Sequence, residues 1–175
     1  GGRVMVQSKP FGGSVFSIVL PLEHLASFND DDNVREKLNA PHAHLSRLNV
    51  LVVDDFELNQ LTVKTLLHGA VAHVHCASGG FEALEILKSA PIDIVLMDIH
   101  MPELDGIETT LRIRESRTSW ADIAIIALTA DPDYQHAHIC RKIGMDGALA
   151  KPIRRQDLLA IFAEYCPQHL LSKAG

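Results

Sequence analysis

The sequence is short of several things, and each shortage removes a class of protein. No run of 18 apolar residues occurs among its 175 positions, so no transmembrane helix is expected. Cysteine is scarce. Cys76, Cys140 and Cys166 form no CxxC pair and are odd in number, which argues against a disulfide framework or a zinc knuckle and fits a reducing cytoplasm. A basic excess is missing too: Lys and Arg total 16 against 22 Asp and Glu, a net charge of −6, where a nucleic-acid binder would carry a basic patch. Gly1-Gly2-Arg3 does not lead into a signal peptide, and there is no initiator Met. The chain reads as a piece of a longer protein that makes no membrane contact of its own. No internal repeat stands out.

What is present is ordinary in amount and uneven in placement. Apolar residues make up 47% and charged residues 22%, the balance of a soluble globular chain. The length allows one domain, or one domain and a fragment. Residues 1–47 carry five basic and five acidic side chains, so the whole net charge falls on residues 48–175.

Residues 1–25 read as a β-hairpin. Arg3 to Ser8 is extended, Pro10-Phe11-Gly12-Gly13 is a turn, and Ser14 to Leu20 alternates until Pro21 stops it. A lone two-stranded hairpin is marginal in water and needs a sheet to join. Residues 26–47, with Asn29-Asp30-Asp31-Asp32-Asn33 and Pro41-His42-Ala43-His44, read as a linker with a short helix around Val34–Leu38.

From Leu48 the pattern becomes regular. Short apolar runs at Leu48–Val53, Val71–Cys76, Ile92–Met97, Ile123–Leu128 and Gly147–Ala150 are expected strands. Helical periodicity separates them: Leu58 to Leu66 stopped by Gly69, a helix capped by Ser78, one opened by Asp105-Gly106, one running from Asp131 to Gly144, and a last one through Leu158, Ile161, Phe162 and Tyr165. Five strands alternating with five helices predict an α/β fold with a doubly wound parallel sheet covered on both faces. The expected division is a hairpin fragment over 1–25, a linker over 26–47, one domain over 48–167 and a tail over 168–175.

In such folds ligands sit beyond the carboxyl ends of the strands. Asp54 and Asp55 follow the first strand, Asp98 ends the third, Thr129 follows the fourth and Lys151 follows the fifth. Two carboxylates about 4 Å apart repel by roughly 4 kcal/mol at an effective dielectric near 20, so three together call for a cation. Oxygen-only ligands suit Mg²⁺. Lys151 adds a second positive charge, and the site is then prepared for a phosphoryl group, with Asp98 as the nucleophile.

These residues resemble a known family. Val52-Val53-Asp54-Asp55, the run from Met97 to Gly106 (Met-Asp-Ile-His-Met-Pro-Glu-Leu-Asp-Gly), Ala127-Leu128-Thr129-Ala130 and Lys151-Pro152-Ile153 are similar to the motifs of response-regulator receiver domains. The resemblance implies a flavodoxin-like (βα)5 fold with strand order 2-1-3-4-5. It implies that Asp98 is the phosphoacceptor, that Asp55, Asp98 and the backbone carbonyl of His100 bind Mg²⁺ directly, and that Asp54 acts through a water or as a second acid. Thr129 and Lys151 would contact the phosphoryl group, and the Lys151–Pro152 bond would be cis. His100, at the mouth of the site, is placed to tune phosphoryl lifetime. One departure matters: the position three before the lysine, often Tyr or Phe in the family, is Ala148 here, so the usual aromatic switch cannot operate through it.

The hairpin, with Phe11-Gly12-Gly13-Ser14-Val15-Phe16, is similar to the closing strands of histidine-kinase ATP-binding domains. Together the two resemblances imply the carboxyl-terminal portion of a hybrid sensor histidine kinase, cytoplasmic itself whether or not its parent is anchored in the inner membrane. The kinase core would be the phosphodonor and a histidine phosphotransfer domain the acceptor. The ATP-contacting motifs and the phosphorylated His segment of that family are not in this sequence.

Two rival readings remain at this stage. A Mg²⁺-dependent phosphatase or hydrolase of haloacid-dehalogenase type would need a second acid two residues after the nucleophile, where His100 stands. A non-catalytic interaction module would not need the intact acid, Thr and Lys set. The other histidines offer little: His136 and His138 are two apart on an expected helix and diverge, while His73 and His75 share a face of an expected edge strand.

Overall fold

The computed structural model describes residues 3–9, 13–19, 45–130 and 140–165. The chain divides into two compact units, Gly1–Lys37 and Leu38–Gly175. In the first, β1 (Arg3–Lys9) and β2 (Gly13–Val19) pair antiparallel, from Arg3 opposite Val19 to Lys9 opposite Gly13. Successive strand residues point to opposite faces. Met5 and Val6, on opposite faces, are both about half exposed (50% and 54%). The expected turn residues 10–12 and the expected helix over 34–38 lie outside the described residues.

The second unit is a parallel five-stranded sheet, β3 (Asn49–Val53), β4 (His73–Ala77), β5 (Ile94–Asp98), β6 (Ala124–Thr129) and β7 (Gly147–Ala150), in the order β4-β3-β5-β6-β7. Counted within this unit, that is 2-1-3-4-5. Helices α1 (Glu57–Leu67), α2 (Gly80–Ser89), α3 (Gly106–Glu115) and α4 (Arg155–Tyr165) pack against it. Strand alternation divides the core into two layers. Leu51, Val53, Val95, Met97, Ile125 and Ala127 point to one face, where Ala83 and Leu87 of α2 and Ile113 of α3 cover them. Val50, Val52, Ile94, Leu96, Ile126 and Leu128 point to the other, under Val63 and Leu67 of α1 and Leu158 and Phe162 of α4. The three central strands are buried on both faces and therefore read as unbroken apolar runs.

Strand boundaries differ from the apolar runs in a consistent direction. β4, β5 and β6 begin one or two residues late, and β5 and β6 run on through Asp98 and Thr129. Val71, Ile92 and Ile123 pack into the core before pairing begins, because hydrophobicity reports burial and not ladder bonding. Ser78 does not cap α2. Gly79 holds the N-cap position, and the Glu82 carboxylate accepts from the Ser78 N–H (2.8 Å) and hydroxyl (2.6 Å) instead. Gly69, at φ +71°, ends α1 as expected. Of the helix expected over 131–144, residues 140–143 are helical and 131–139 lie outside the described residues. Leu45–Arg47, placed in the expected linker, form a 3-10 turn, and Leu45, 1% exposed, sits in the core beside Leu48.

Candidate functional site

Register brings the site together. Val53 pairs with Met97, so Asp54 and Asp98 each stand at or just past the end of neighbouring strands. Asp98 is level with Leu128, and Thr129 with Ala150, which immediately precedes Lys151. The Lys151 backbone N–H donates to the Thr129 carbonyl at 2.7 Å, and the Lys151–Pro152 bond is cis. One edge of the sheet thereby presents all four residues. Asp54, Asp98 and Thr129 are buried, Lys151 is partly buried, and Asp55 and His100 are exposed.

Lys151 bridges the two buried acids. Its Nζ donates to Asp54 Oδ2 at 2.8 Å and to Asp98 Oδ2 at 2.7 Å. Burial alone would pull this amine down, but its hydrogen bonds to Asp54 and Asp98, with their charges, outweigh burial and hold it above its ordinary value. Burial likewise pushes the Asp54 carboxyl up. The Lys151 hydrogen bond, the Phe56 N–H and the Asn59 amide outweigh that and leave it below the ordinary range.

The chain around the acids is equally specified. Asp54 Oδ1 accepts from Phe56 N at 2.9 Å and from Asn59 Nδ2 at 2.9 Å, and Asn59 Nδ2 also reaches Oδ2 at 3.0 Å. Gln60 Nε2 donates to the Asp54 carbonyl at 2.7 Å and the Ala77 carbonyl at 3.2 Å. His100 N donates to Asp98 Oδ1 at 3.3 Å. Behind Asp98, α3 begins at Gly106, where a Cβ would lie 2.1 Å from the Asp98 carbonyl oxygen. Only glycine lets that helix approach so closely. Asp105 caps the helix, accepting from Glu108 N at 2.7 Å.

The charge balance can be read from these contacts. One oxygen each of Asp54, Asp55 and Asp98 lie within 4.8 Å of one another. One lysine against three ionised carboxylates leaves a formal −2. The set is hard oxygen throughout, which fits a divalent cation such as Mg²⁺.

Every site residue expected from the sequence is thus found at this end of the sheet. Asn59, Gln60 and the close approach at Gly106 were not expected. Their signal was present in part: amide side chains five and six residues after Asp54 fall in the first turn of the helix that follows it. Ala148 lies on the exposed edge strand, opposite Ala127, beside a cavity of about 200 Å³ lined by Cys140, Met145, Gly147, Ile161 and Tyr165. Among the described residues the histidines give no such grouping. His73 and His75 stand on edge strand β4 with ring centroids 6.5 Å apart, and His136 and His138 lie outside the described residues.

Comparison with known proteins places this geometry. The chain is 43% identical over 118 residues to hybrid signal transduction histidine kinase E of Dictyostelium discoideum, a match covering 66% of this chain and 7% of that protein. It is 28% identical over 172 residues to the autoinducer 2 sensor kinase/phosphatase LuxQ of Vibrio parahaemolyticus, covering 98% of this chain and 20% of that protein. The chain therefore spans only a small part of the length of the curated relatives it matches. Among solved structures, the receiver domain of sensor histidine kinase PA1611 from Pseudomonas aeruginosa, with magnesium in its active-site cleft, is 30% identical. It superposes with a TM-score of 0.61 over 68% of this chain and 97% of that one. The family model for the response regulator receiver domain matches residues 50–163, a span holding both acids that Lys151 bridges, and the chain belongs to that family.

Proposed function

We propose that Asp98 is the phosphoacceptor of a two-component phosphorelay. The observation that carries this reading is the lysine bridge: a buried carboxylate at a strand end, hydrogen-bonded by an ammonium that also bonds the neighbouring buried acid Asp54. An Asp98 oxygen attacks phosphorus, the bond from phosphorus to the donor imidazole nitrogen breaks, and the imidazole leaves with its electron pair. Lys151 then passes from Asp98 to a phosphoryl oxygen, and the Thr129 hydroxyl donates to another. Asp55, Asp98 and the His100 carbonyl would hold Mg²⁺, with Asp54 acting through a water. When bound, the ion supplies charge neutralisation at the phosphoryl oxygens.

The donor is read as the kinase core of a parent hybrid histidine kinase, and the acceptor as a histidine phosphotransfer domain. The alignment with LuxQ supports this, because it runs through the hairpin as well as the receiver. On that reading residues 1–25 close an ATP-binding domain. Among the described residues no helix is long and apolar enough to cross a membrane.

Labelling with acetyl phosphate in Mg²⁺ tests the proposal. A stable label that disappears in Asp98→Asn supports it. Rapid turnover would point to a hydrolase of haloacid-dehalogenase type, and no label to an interaction module. Undiminished labelling of Asp98→Asn would overturn the assignment.

A further inference from the structure

Asp54 is 0% exposed, and its carboxylate accepts from three donors. A carboxylate offers about four lone-pair positions. Phe56 N takes one, Lys151 Nζ another, and the single Asn59 amide nitrogen is shared between both oxygens. Of these donors only Lys151 has a second task. Resting on the phosphoacceptor reading, the chemistry asks Lys151 to turn toward the phosphoryl group when Asp98 is modified. Asp54 then loses its cationic partner while it remains buried. A buried anion that loses a charged donor depends on the donors that stay with it, here Phe56 N and Asn59 Nδ2.

We propose that Asn59 is a positioning residue for phosphoryl transfer. By holding both oxygens of Asp54, it lets Lys151 leave that carboxylate without stranding a buried charge. With Asn59 removed, Lys151 is the only side chain left on Asp54, and the acid competes with the phosphoryl group for it. The neighbouring Gln60 is the internal contrast. It lies on the same turn of α1 but bonds the backbone carbonyls of Asp54 and Ala77, not the carboxylate, so it secures the loop alone.

The test uses the full chain and three measurements: maximal labelling rate at saturating acetyl phosphate and Mg²⁺, Mg²⁺ affinity by calorimetry, and urea unfolding. Asn59→Ala is expected to lower the maximal rate about tenfold, the lower end of the worth of one hydrogen bond to a charge, with Mg²⁺ affinity nearly unchanged. Asn59→Ser keeps a hydroxyl that cannot span both oxygens and should show the same split. Gln60→Ala should lower the urea midpoint and label like wild type per folded molecule. Wild-type labelling rates in both Asn59 variants would overturn the proposal. So would a rate loss that follows Mg²⁺ affinity, or one that Gln60→Ala shares in proportion to lost stability. Failure of the wild type to label, or labelling of Asp98→Asn, would instead sink the phosphoacceptor reading itself.

Discussion

Gly106→Ala should be among the most damaging one-methyl changes in this protein. The added Cβ would stand 2.1 Å from the Asp98 carbonyl oxygen and 3.0 Å from its carbonyl carbon, where ordinary contact begins at 3.4 Å. Relief requires a shift of about 1.3 Å, and both partners are backbone. Neither is loose: Gly106 N donates to the Ile99 carbonyl at 3.1 Å, and the Asp105 cap fixes the same turn of α3. Overpacking of this kind costs about 1–3 kcal/mol, and rigid neighbours place it near the upper end. Alanine's helix preference returns at most about 1 kcal/mol. The net expectation is a loss of about 2 kcal/mol, a large share of a total stability of about 5–15 kcal/mol. Because the displaced atom belongs to Asp98, labelling by acetyl phosphate should slow as well. Gly79→Ala is the control: its Cβ meets nothing within 4 Å and its backbone is extended. Urea unfolding of the two variants side by side decides the matter. A Gly106→Ala stability within about 0.5 kcal/mol of wild type, the range of an unremarkable surface change, would refute the close-approach argument.

Other expectations follow from the same geometry. Asp55→Asn should weaken Mg²⁺ binding while the fold survives, since Asp55 is exposed and outside the core; unchanged affinity by calorimetry would exclude it as a direct ligand. Asp54 has a folded value below its ordinary 3.8, so its contribution to stability is complete above about pH 4 and is lost as pH falls through the folded value. Urea midpoints of wild type and Asp54→Asn, measured without Mg²⁺, should therefore converge on acidification, and a constant gap would contradict the shift. With Ala148 on β7 in place of an aromatic ring, beryllofluoride should perturb NMR shifts near Asp98 and Lys151 far more than those of residues 140–148 and 155–165. Comparable changes in both regions would mean that another side chain has taken over the switch.

The sheet was legible because its three central strands are buried on both faces, and Val50–Val53, Ile94–Met97 and Ile125–Leu128 carry that burial openly in their composition. The acids and Lys151 were legible because parallel strands end together, so a residue after each apolar run must lie near its counterparts. What was hidden depends on partners distant in sequence. Nothing around Gly106 announces that the Asp98 carbonyl will lie against it. Ser78 has the form of a helix cap, yet Glu82 reaches back and takes its hydroxyl. Asn59 could be placed on a first turn, but that it would span both oxygens of Asp54 required the turn's orientation. Leu45 stands beside His44, Ser46 and Arg47, and nothing in that run announces that it packs into the core with Leu48.

The central claim is that the phosphoryl group is carried on Asp98. The direct measurement is to phosphorylate the chain in Mg²⁺ with a phosphohistidine donor, reduce the acyl phosphate with borohydride, and map the product by mass spectrometry. The account predicts homoserine at position 98 and at no other aspartate, Asp54 and Asp55 included. Homoserine at a different position, or none in a sample that carries label, would contradict it.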